Sequence, residues 1–357
     1  MTTLADLTTL RVGGPIGRLT ETSSEKALIA AVSEADAARE PVLVLGGGSN
    51  LVAGDAGFPG LVVRDTRAEI TVTDASAGAG TSLTVTAGTP WDDVVARAVD
   101  EGWVGVETLS GIPGSTGATP VQNVGAYGQE VAQSIALVRT WDRGEARIRT
   151  MSLVDLHFSY RDSVLKRSLR TTDGALSEFA PTPRHVVLDV TFQLRFGALS
   201  DPIRYPELAR TLGIEVGERA PLGDVRAAVL ALRGGKGMVL DPADHDTWSV
   251  GSFFTNPMLT ADAAAGLPAE APRFPADDGL IKTSAAWLIE QAGFGRGYGL
   301  PGPAALSTKH TLAITNRGGA TSADVLALAR DVRGGVRSAF GVELVPEPLL
   351  LGCTLDG

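Results

Sequence analysis

Cysteine and histidine are scarce in this chain, and each scarcity closes off a kind of chemistry. The single cysteine, Cys353, rules out an internal disulfide and any clustered thiolate metal site, and it fits a reducing compartment. None of the four histidines belongs to an H-E-x-x-H pattern, and no G-x-S-x-G turn is present, so metalloprotease and serine-hydrolase chemistry have little support. No apolar run approaches the ~20 residues of a membrane span. The opening MTTLADLTTLRV lacks the basic and apolar regions of a secretory leader. A formal net charge of -10 argues against broad binding to nucleic acid or acidic membranes, which would need a local basic patch. Nor is there an internal repeat, which sets solenoids and propellers aside. These absences lead us to expect a soluble cytoplasmic protein with no metal site.

Glycine, by contrast, is plentiful at 43 of 357 residues, a length that suggests two or three domains. It is also bunched. The stretch Val104 to Gly128, VGVETLSGIPGSTGATPVQNVGAYG, holds six glycines but little of the charge or low complexity of a flexible linker. Gly111, Gly114 and Gly117 let backbone amides approach a bulky anion, with Ser110, Ser115, Thr116, Gln122 and Asn123 as short polar neighbours. A second cluster lies in PVLVLGGGSNL, where Val42 to Leu45 read as a buried strand and Gly46 to Asn50 as the tight turn at its end. Its spacing is neither G-x-G-x-x-G nor a lysine-bearing phosphate loop, and alone it reads equally as a turn or a phosphate cradle. Together the two stretches describe the wall of a nucleotide site.

Around them the pattern mixes helices and strands. Thr22 to Glu25 reads as a capping box for a helix reaching about Ala38, which leads into the Val42 strand. Short strands are expected at Leu61 to Val63, Ile70 to Val72 and Leu83 to Thr86. Thr89 then stands to cap a helix with Pro90 at its first position, Asp92 favouring the dipole and Val94, Val95, Ala98 and Val99 facing inward. Ile135 to Trp141, Ala146 to Met151 and His185 to Phe196 look like strands of one sheet, and Lys166 to Arg184 like a surface excursion. Helices follow at Tyr205 to Leu212 and through Val225, Ala228, Val229, Leu232 and Arg233 to Gly234-Gly235. Beyond a boundary near Asp241-Pro242 we expect a helix from Ser284 to Ala292, a strand at Thr311 to Thr315 and a long amphipathic helix from Ser322 to Phe340. Val342 to Leu351 reads as an apolar strand interrupted by Pro346, Glu347 and Pro348.

Six motifs in order carry a resemblance that runs almost end to end: LRVGG (Leu10 to Gly14), LGGGSN (Leu45 to Asn50), GIPGSTGATPVQNVGAYG (Gly111 to Gly128), SYRDS (Ser159 to Ser163), GSFFTNP (Gly251 to Pro257) and VPEP (Val345 to Pro348). By these the chain resembles the UDP-N-acetylenolpyruvoylglucosamine reductase family, flavoenzymes of bacterial cell-wall precursor synthesis, in its long form with a substrate-loop tyrosine. The resemblance implies an α+β fold: a two-subdomain FAD-binding fold like that of vanillyl-alcohol oxidase, plus a C-terminal α/β substrate-binding domain. The expected divisions are residues 1–66 and 67–241 for the two FAD-binding subdomains, 242–343 for the substrate domain and 344–357 for a strand returning to the active site. It further implies an FAD-dependent oxidoreductase, working as a monomer with NADPH and a UDP-sugar. FAD contacts are implied at Leu45, Gly46, Gly47, Gly48, Ser49, Asn50, Leu51, Ser110, Gly111, Ile112, Pro113, Gly114, Ser115, Gly117, Ala118, Gln122, Asn123, Gly125, Tyr127 and Arg161.

Read by itself, Arg161 suits a surface pair with Asp162, Ser252 a turn before Phe253 and Phe254, and Glu347 a solvent-facing edge. The resemblance implies catalytic roles for all three. Arg161 would hold the substrate carboxylate, a task for a planar fork of donors that stays charged. Hydride addition to C3 of the enolpyruvyl group leaves negative charge over C2 and the carboxylate, basic enough for the hydroxyl of Ser252 to protonate C2. Beside such charge an ionised glutamate would be repulsive, so Glu347 is expected to donate a hydrogen bond when protonated, or to act through water. Tyr160, Tyr205, Arg233, Lys236, Asn256 and Gln291 are implied around the UDP-sugar, although Arg233 and Lys236 also make sense as a solvated helix face. Thr255 stands where relatives often carry lysine, and Leu349 where some carry arginine. Other readings are an FAD-linked oxidase of small alcohols or sugars on the same fold and a non-catalytic nucleotide-binding module.

Overall fold

The computed structural model describes residues 2–76, 80–276 and 279–356. The chain forms two compact units, one of Ile16–Gly47 with Pro59–Gly234 and a smaller one of Met1–Pro15, Gly48–Phe58 and Gly235–Gly357.

The larger unit is built on a mainly antiparallel sheet with the strand order Arg147–Ser152, Ile135–Asp142, His185–Phe196, Gly80–Thr86 and Ile70–Ser76. The first six residues of His185–Phe196 are all buried rather than alternating because both faces of the sheet are covered there: Val187 and Val190 enter one core and Val186 and Leu188 another. Helix Trp91–Asp100 packs Trp91, Val94, Val95 and Ala98 into the core, with Trp91 5.6 Å from the Phe192 ring. Trp91 is fully buried, so its truncation to alanine would cost about 3–5 kcal/mol. A second layer sets Ile16–Thr22, Phe58–Asp65 and Val42–Val44 side by side, and helix Glu25–Ala37 adds Leu28, Val32 and Ala35 to their core. Both glycine stretches leave from these layers.

Two capping expectations are corrected here, and the surface excursion gains an anchor. Helix Glu25–Ala37 is capped by Ser24, which accepts from the Ala27 N–H at 3.2 Å; Thr22 instead ends the preceding strand. Before Trp91–Asp100 the cap position is Pro90 itself, while the Thr89 hydroxyl turns to Thr86 at 3.0 Å; Val99 is only half-buried. The excursion after Lys166 is anchored at its far end, because the Thr182 hydroxyl donates to Val42 O and accepts from Val44 N–H at 2.9 and 2.8 Å.

In the smaller unit, helix Ser322–Phe340 begins at a capping box of Thr321 and Asp324 and ends at left-handed Gly341. Its buried face, Val325, Leu326, Leu328, Ala329, Val332 and Val336, meets Phe253, Phe254, Leu288 and Ile289 in one core. The strand expected at Thr311 is shorter, Ile314–Asn316, and pairs with Ala304–Leu306. Val342 and Leu344 are buried without forming a strand; the strand of this segment is Leu349–Leu351, which runs parallel to Leu51–Ala53, preceded by a single antiparallel bridge from Pro346 to Phe254. That pairing places the last apolar segment beside the residues that follow Ser49 and Asn50.

Candidate active site

In the larger unit the two glycine stretches touch. A Cβ on Gly46 would lie 2.3 Å from Ser115 Oγ, and one on Gly47 2.7 Å from Gly114 Cα, so only glycine permits this approach of backbone to backbone. Behind them Gly117 is packed onto Ala87, where a Cβ would come within 2.5 Å. Backbone bonds from Thr116 and Gly117 to Thr89 and Ala87 fix the inner side of the loop. The outer side is different: Gly46, Gly111, Ile112, Pro113 and Gly114 are half-buried and Gly47 is exposed. Among the described residues no protein acceptor takes the N–H of Gly46, Gly47 or Gly114. Ser110 turns inward, its hydroxyl donating to Glu107 O at 2.7 Å, and Asn123 is buried with its side chain spent on Glu130, Ser159 and Ala132.

Arg161 reaches this same loop. Its guanidinium donates to Gly125 O at 2.9 Å and lies 5.4 Å from the Tyr160 ring. Asp162, the expected surface partner, pairs with Arg167 instead. Arg161, Asn123 and Tyr127 all hold positive φ, at 56, 47 and 49°, which costs non-glycine residues about 1 kcal/mol or more each. Such strain gathered around one loop marks a place where backbone direction matters more than local comfort. Sequence patterning contains no signal for it.

Tyr127 and Tyr205 meet edge to face at 5.3 Å, with Arg233 near enough to influence Tyr127 electrostatically. Burial pushes the Tyr127 phenol up to about 12 against the opposing pull of Arg233. Arg233 is only 8% exposed and donates to Gly111 O at 3.3 Å, so it is no solvated-helix residue. Burial lowers its guanidinium's basicity, partly opposed by Tyr127 and Asp92. The cluster also includes Asp92 and Arg226, which sequence reasoning did not assign to the site.

The smaller unit carries Gly48, Ser49, Asn50, Leu51, Lys236, Ser252, Asn256, Gln291 and Glu347. Gly48 is left-handed and a Cβ there would strike Leu7 O at 2.1 Å. The Glu347 N–H donates to Phe253 O at 2.9 Å and the Thr255 N–H to Val345 O at 3.0 Å, so the segments bearing Ser252 and Glu347 run side by side. Asn50 joins them, its side chain donating to Glu347 O at 3.4 Å and its own carbonyl accepting from Leu349 N–H at 3.0 Å. Asn256 caps helix Ala285–Gln291 through the Ala285 N–H at 3.0 Å, and Gln291 is exposed at that helix's other end.

Residues 18–151 match the family described as FAD binding domain, and residues 241–351 that described as UDP-N-acetylenolpyruvoylglucosamine reductase, C-terminal domain. Reductases of that name from Cutibacterium acnes and Thermobifida fusca are each 52% identical to this chain, covering 99% of it and 90% and 97% of their own lengths. The chain belongs to the UDP-N-acetylenolpyruvoylglucosamine reductase family. A relative from Saccharopolyspora erythraea is 53% identical over 99% of the chain and 95% of its own length. The crystal structure of the Thermus caldophilus reductase superposes with a TM-score of 0.63 at 25% identity, covering 98% of this chain and 97% of that one. The fold is thus the FAD-binding domain joined to the reductase C-terminal domain. The donor set of this family member fits a flavin dinucleotide: backbone amides with no protein acceptor, in a loop pair too close for any Cβ, suit a diphosphate. Among the described residues no group of three or more His, Cys, Asp or Glu is placed to hold a metal, and no helix is long and apolar enough to cross a membrane.

Proposed function

We propose that this chain is the FAD-dependent oxidoreductase that uses NADPH to convert UDP-N-acetylglucosamine enolpyruvate to UDP-N-acetylmuramate in peptidoglycan precursor synthesis. The observation that carries the reading is the bond from Glu347 N–H to Phe253 O, next to Ser252, in a chain whose whole length matches reductases of that name. FAD bound at these loops, with NADPH as its reductant, would supply the hydride chemistry needed at C3 of the enolpyruvyl group.

The chain's own residues do the rest. The N–H groups of Gly46, Gly47 and Gly114 hold the diphosphate. Arg161, fixed by Gly125 O, meets the substrate carboxylate and stabilises the charge that develops over C2 and the carboxyl group. The Ser252 hydroxyl gives its proton to C2, and Glu347, protonated or through water, donates a hydrogen bond to the same developing anion. Tyr160, Tyr205, Arg233, Lys236, Asn256 and Gln291 take the UDP-sugar, with Arg233 already oriented by Gly111 O. The enzyme works in the cytoplasm as a monomer and has no nucleic-acid partner.

An absorption spectrum tests this reading. Purified protein should be yellow, bleach with NADPH under anaerobic conditions and regain its colour on addition of the enolpyruvyl substrate. A colourless protein would point to a module without flavin chemistry. Rapid recolouring by air, with no response to the substrate, would point to the oxidase reading.

A further inference from the structure

Helix Leu222–Gly235 presents Arg226 and Arg233 seven positions apart, roughly two turns, so both leave the same face. They reach the two sides of one residue, Gly111, Arg233 directly and Arg226 through Asp92. Arg233 Nε donates to Gly111 O at 3.3 Å. On the other side the Gly111 N–H donates to Asp92 Oδ1 at 2.6 Å, and Arg226 grips that carboxylate with both Nη atoms, at 2.7 and 2.8 Å. Asp92 itself sits in the first turn of helix Trp91–Asp100, where a negative charge is favoured. Gly111, at φ 70°, opens the loop that runs to Gly114.

An ordinary half-exposed ion pair contributes little to stability. This one differs because its carboxylate also holds a backbone amide of the glycine loop. The bond consumes the Gly111 N–H, which therefore cannot serve a ligand, and it brings a negative charge to a loop suited to an anion. Burial favours the neutral acid at Asp92, but the hydrogen bonds from Arg226 and Gly111 outweigh it and hold the carboxyl below its usual range.

We propose that Asp92 and Arg226 are positioning residues for the flavin dinucleotide: Asp92 sets the direction of the Gly111–Gly114 loop, and Arg226 cancels the charge that would otherwise repel the diphosphate. The inference rests on the reading of these loops as the FAD site. It makes opposite demands of the two residues, since Asp92 is needed as an acceptor and Arg226 as a neutralising charge.

The test is the dissociation constant of FAD from reconstituted apoprotein, followed by flavin fluorescence at low and high salt. Arg226→Gln should weaken FAD about tenfold at low salt and less at high salt, where the exposed carboxylate is screened. Asp92→Asn keeps the Oδ1 acceptor and should stay within about threefold of wild type, whereas Asp92→Ala should lose about tenfold. The double variant Asp92→Asn with Arg226→Gln should bind FAD more tightly than Arg226→Gln alone, a rescue that a purely structural ion pair would not give. Asp36→Asn, which breaks the Arg143 ion pair elsewhere in the same unit, serves as the control and should leave the constant unchanged. Equal affinities for Arg226→Gln and wild type at low salt, or no rescue in the double variant, overturn the proposal. If Arg226→Gln does not fold, equal affinities for Asp92→Asn and Asp92→Ala overturn it instead. Wild-type protein that binds no FAD would overturn the flavin reading itself and this inference with it.

Discussion

The carbonyl of Phe253 accepts the N–H of Glu347 at 2.9 Å, and the adjoining Phe254 and Pro346 form a bridge of the same short antiparallel contact. Two segments more than ninety positions apart are thereby locked in register, and the residue on either side of the lock, Ser252 or Glu347, is one for which we propose a chemical role. Phe253 and Phe254 are fully or nearly fully buried, so the lock has a rigid floor.

Replacing Ser252 with alanine should therefore separate the two half-reactions. Its neighbours' backbone bonds survive the change, and NADPH should bleach the flavin at close to the normal rate. Reduction of the enolpyruvyl substrate should fall by at least about 100-fold, the usual scale for losing a proton donor. Stopped-flow absorbance resolves the two steps. If both slow together, Ser252 serves the fold and not the proton transfer.

Glu347 makes a complementary case. Two of its bonds, to Phe253 and from Asn50, use its backbone N–H and carbonyl, and side-chain substitution leaves those two in place. Glu347→Gln retains a hydrogen-bond donor of similar shape and Glu347→Ala does not. We expect kcat to fall in both, with glutamine keeping about tenfold more activity than alanine. Equal kcat for the two variants would remove the donor role.

How far the residues announced this arrangement depends on how local each signal was. Helix Ser322–Phe340 was legible at both ends because its apolar face, its polar start and Gly341 lie within one continuous stretch. The two glycine clusters were legible as a pair because glycine at that density has few other uses. Val342 to Leu344 misled, since an apolar run registers burial and cannot tell a paired strand from a buried coil. Thr22 misled for a related reason: it and Ser24 are both suitable caps, and only the strand that recruits Thr22 decides between them. Arg161 was paired with its neighbour Asp162 by proximity alone, whereas its positive φ turns it to the carbonyl of Gly125. Asp92 and Arg226 lie 134 positions apart with ordinary helical surroundings, and nothing short of the folded chain joins them.

Neighbouring glycines in the last long helix should respond in opposite directions to the same substitution. A Cβ on Gly334 would meet nothing within 4 Å, so Gly334→Ala should stabilise the protein by about 0.5–1 kcal/mol through helix propensity. At Gly335 the added carbon would fall 2.2 Å from the Phe294 ring, which already stacks edge-on with Tyr298 at 4.8 Å. Gly335→Ala should therefore destabilise by about 1–3 kcal/mol, as overpacking does. Urea midpoints with an unchanged slope would report both. A stabilised Gly335→Ala would mean that Phe294 moves aside freely.

Acid should find a weak point in the sheet of the larger unit. His185 lies opposite Asp142 in the pairing of Ile135–Asp142 with His185–Phe196, its Nδ1 3.8 Å from the carboxylate. That carboxylate is already occupied by Arg184 at 2.7 and 3.0 Å and by the N–H groups of Gly144 and Glu145. Burial therefore lowers the His185 imidazole below its ordinary 6.5, outweighing the pull of Asp142 and Glu145 and aided by Arg184 and Arg149. In the unfolded chain the imidazole takes up a proton near 6.5, while the folded one resists until lower pH. The stability that follows from this is complete above that value and is lost as pH falls toward the folded pKa. Loss at Asp142 belongs to a separate window, beginning only below its ordinary 3.8 because its own folded pKa is lowered. As pH falls below about 6.5, wild-type stability should thus decline by up to about 1.4 kcal/mol per pH unit from this residue, and His185→Gln should flatten that part of the profile. Urea unfolding at half-unit pH steps makes the comparison. Parallel profiles for the two proteins would show that the acid sensitivity in this range originates at some other group.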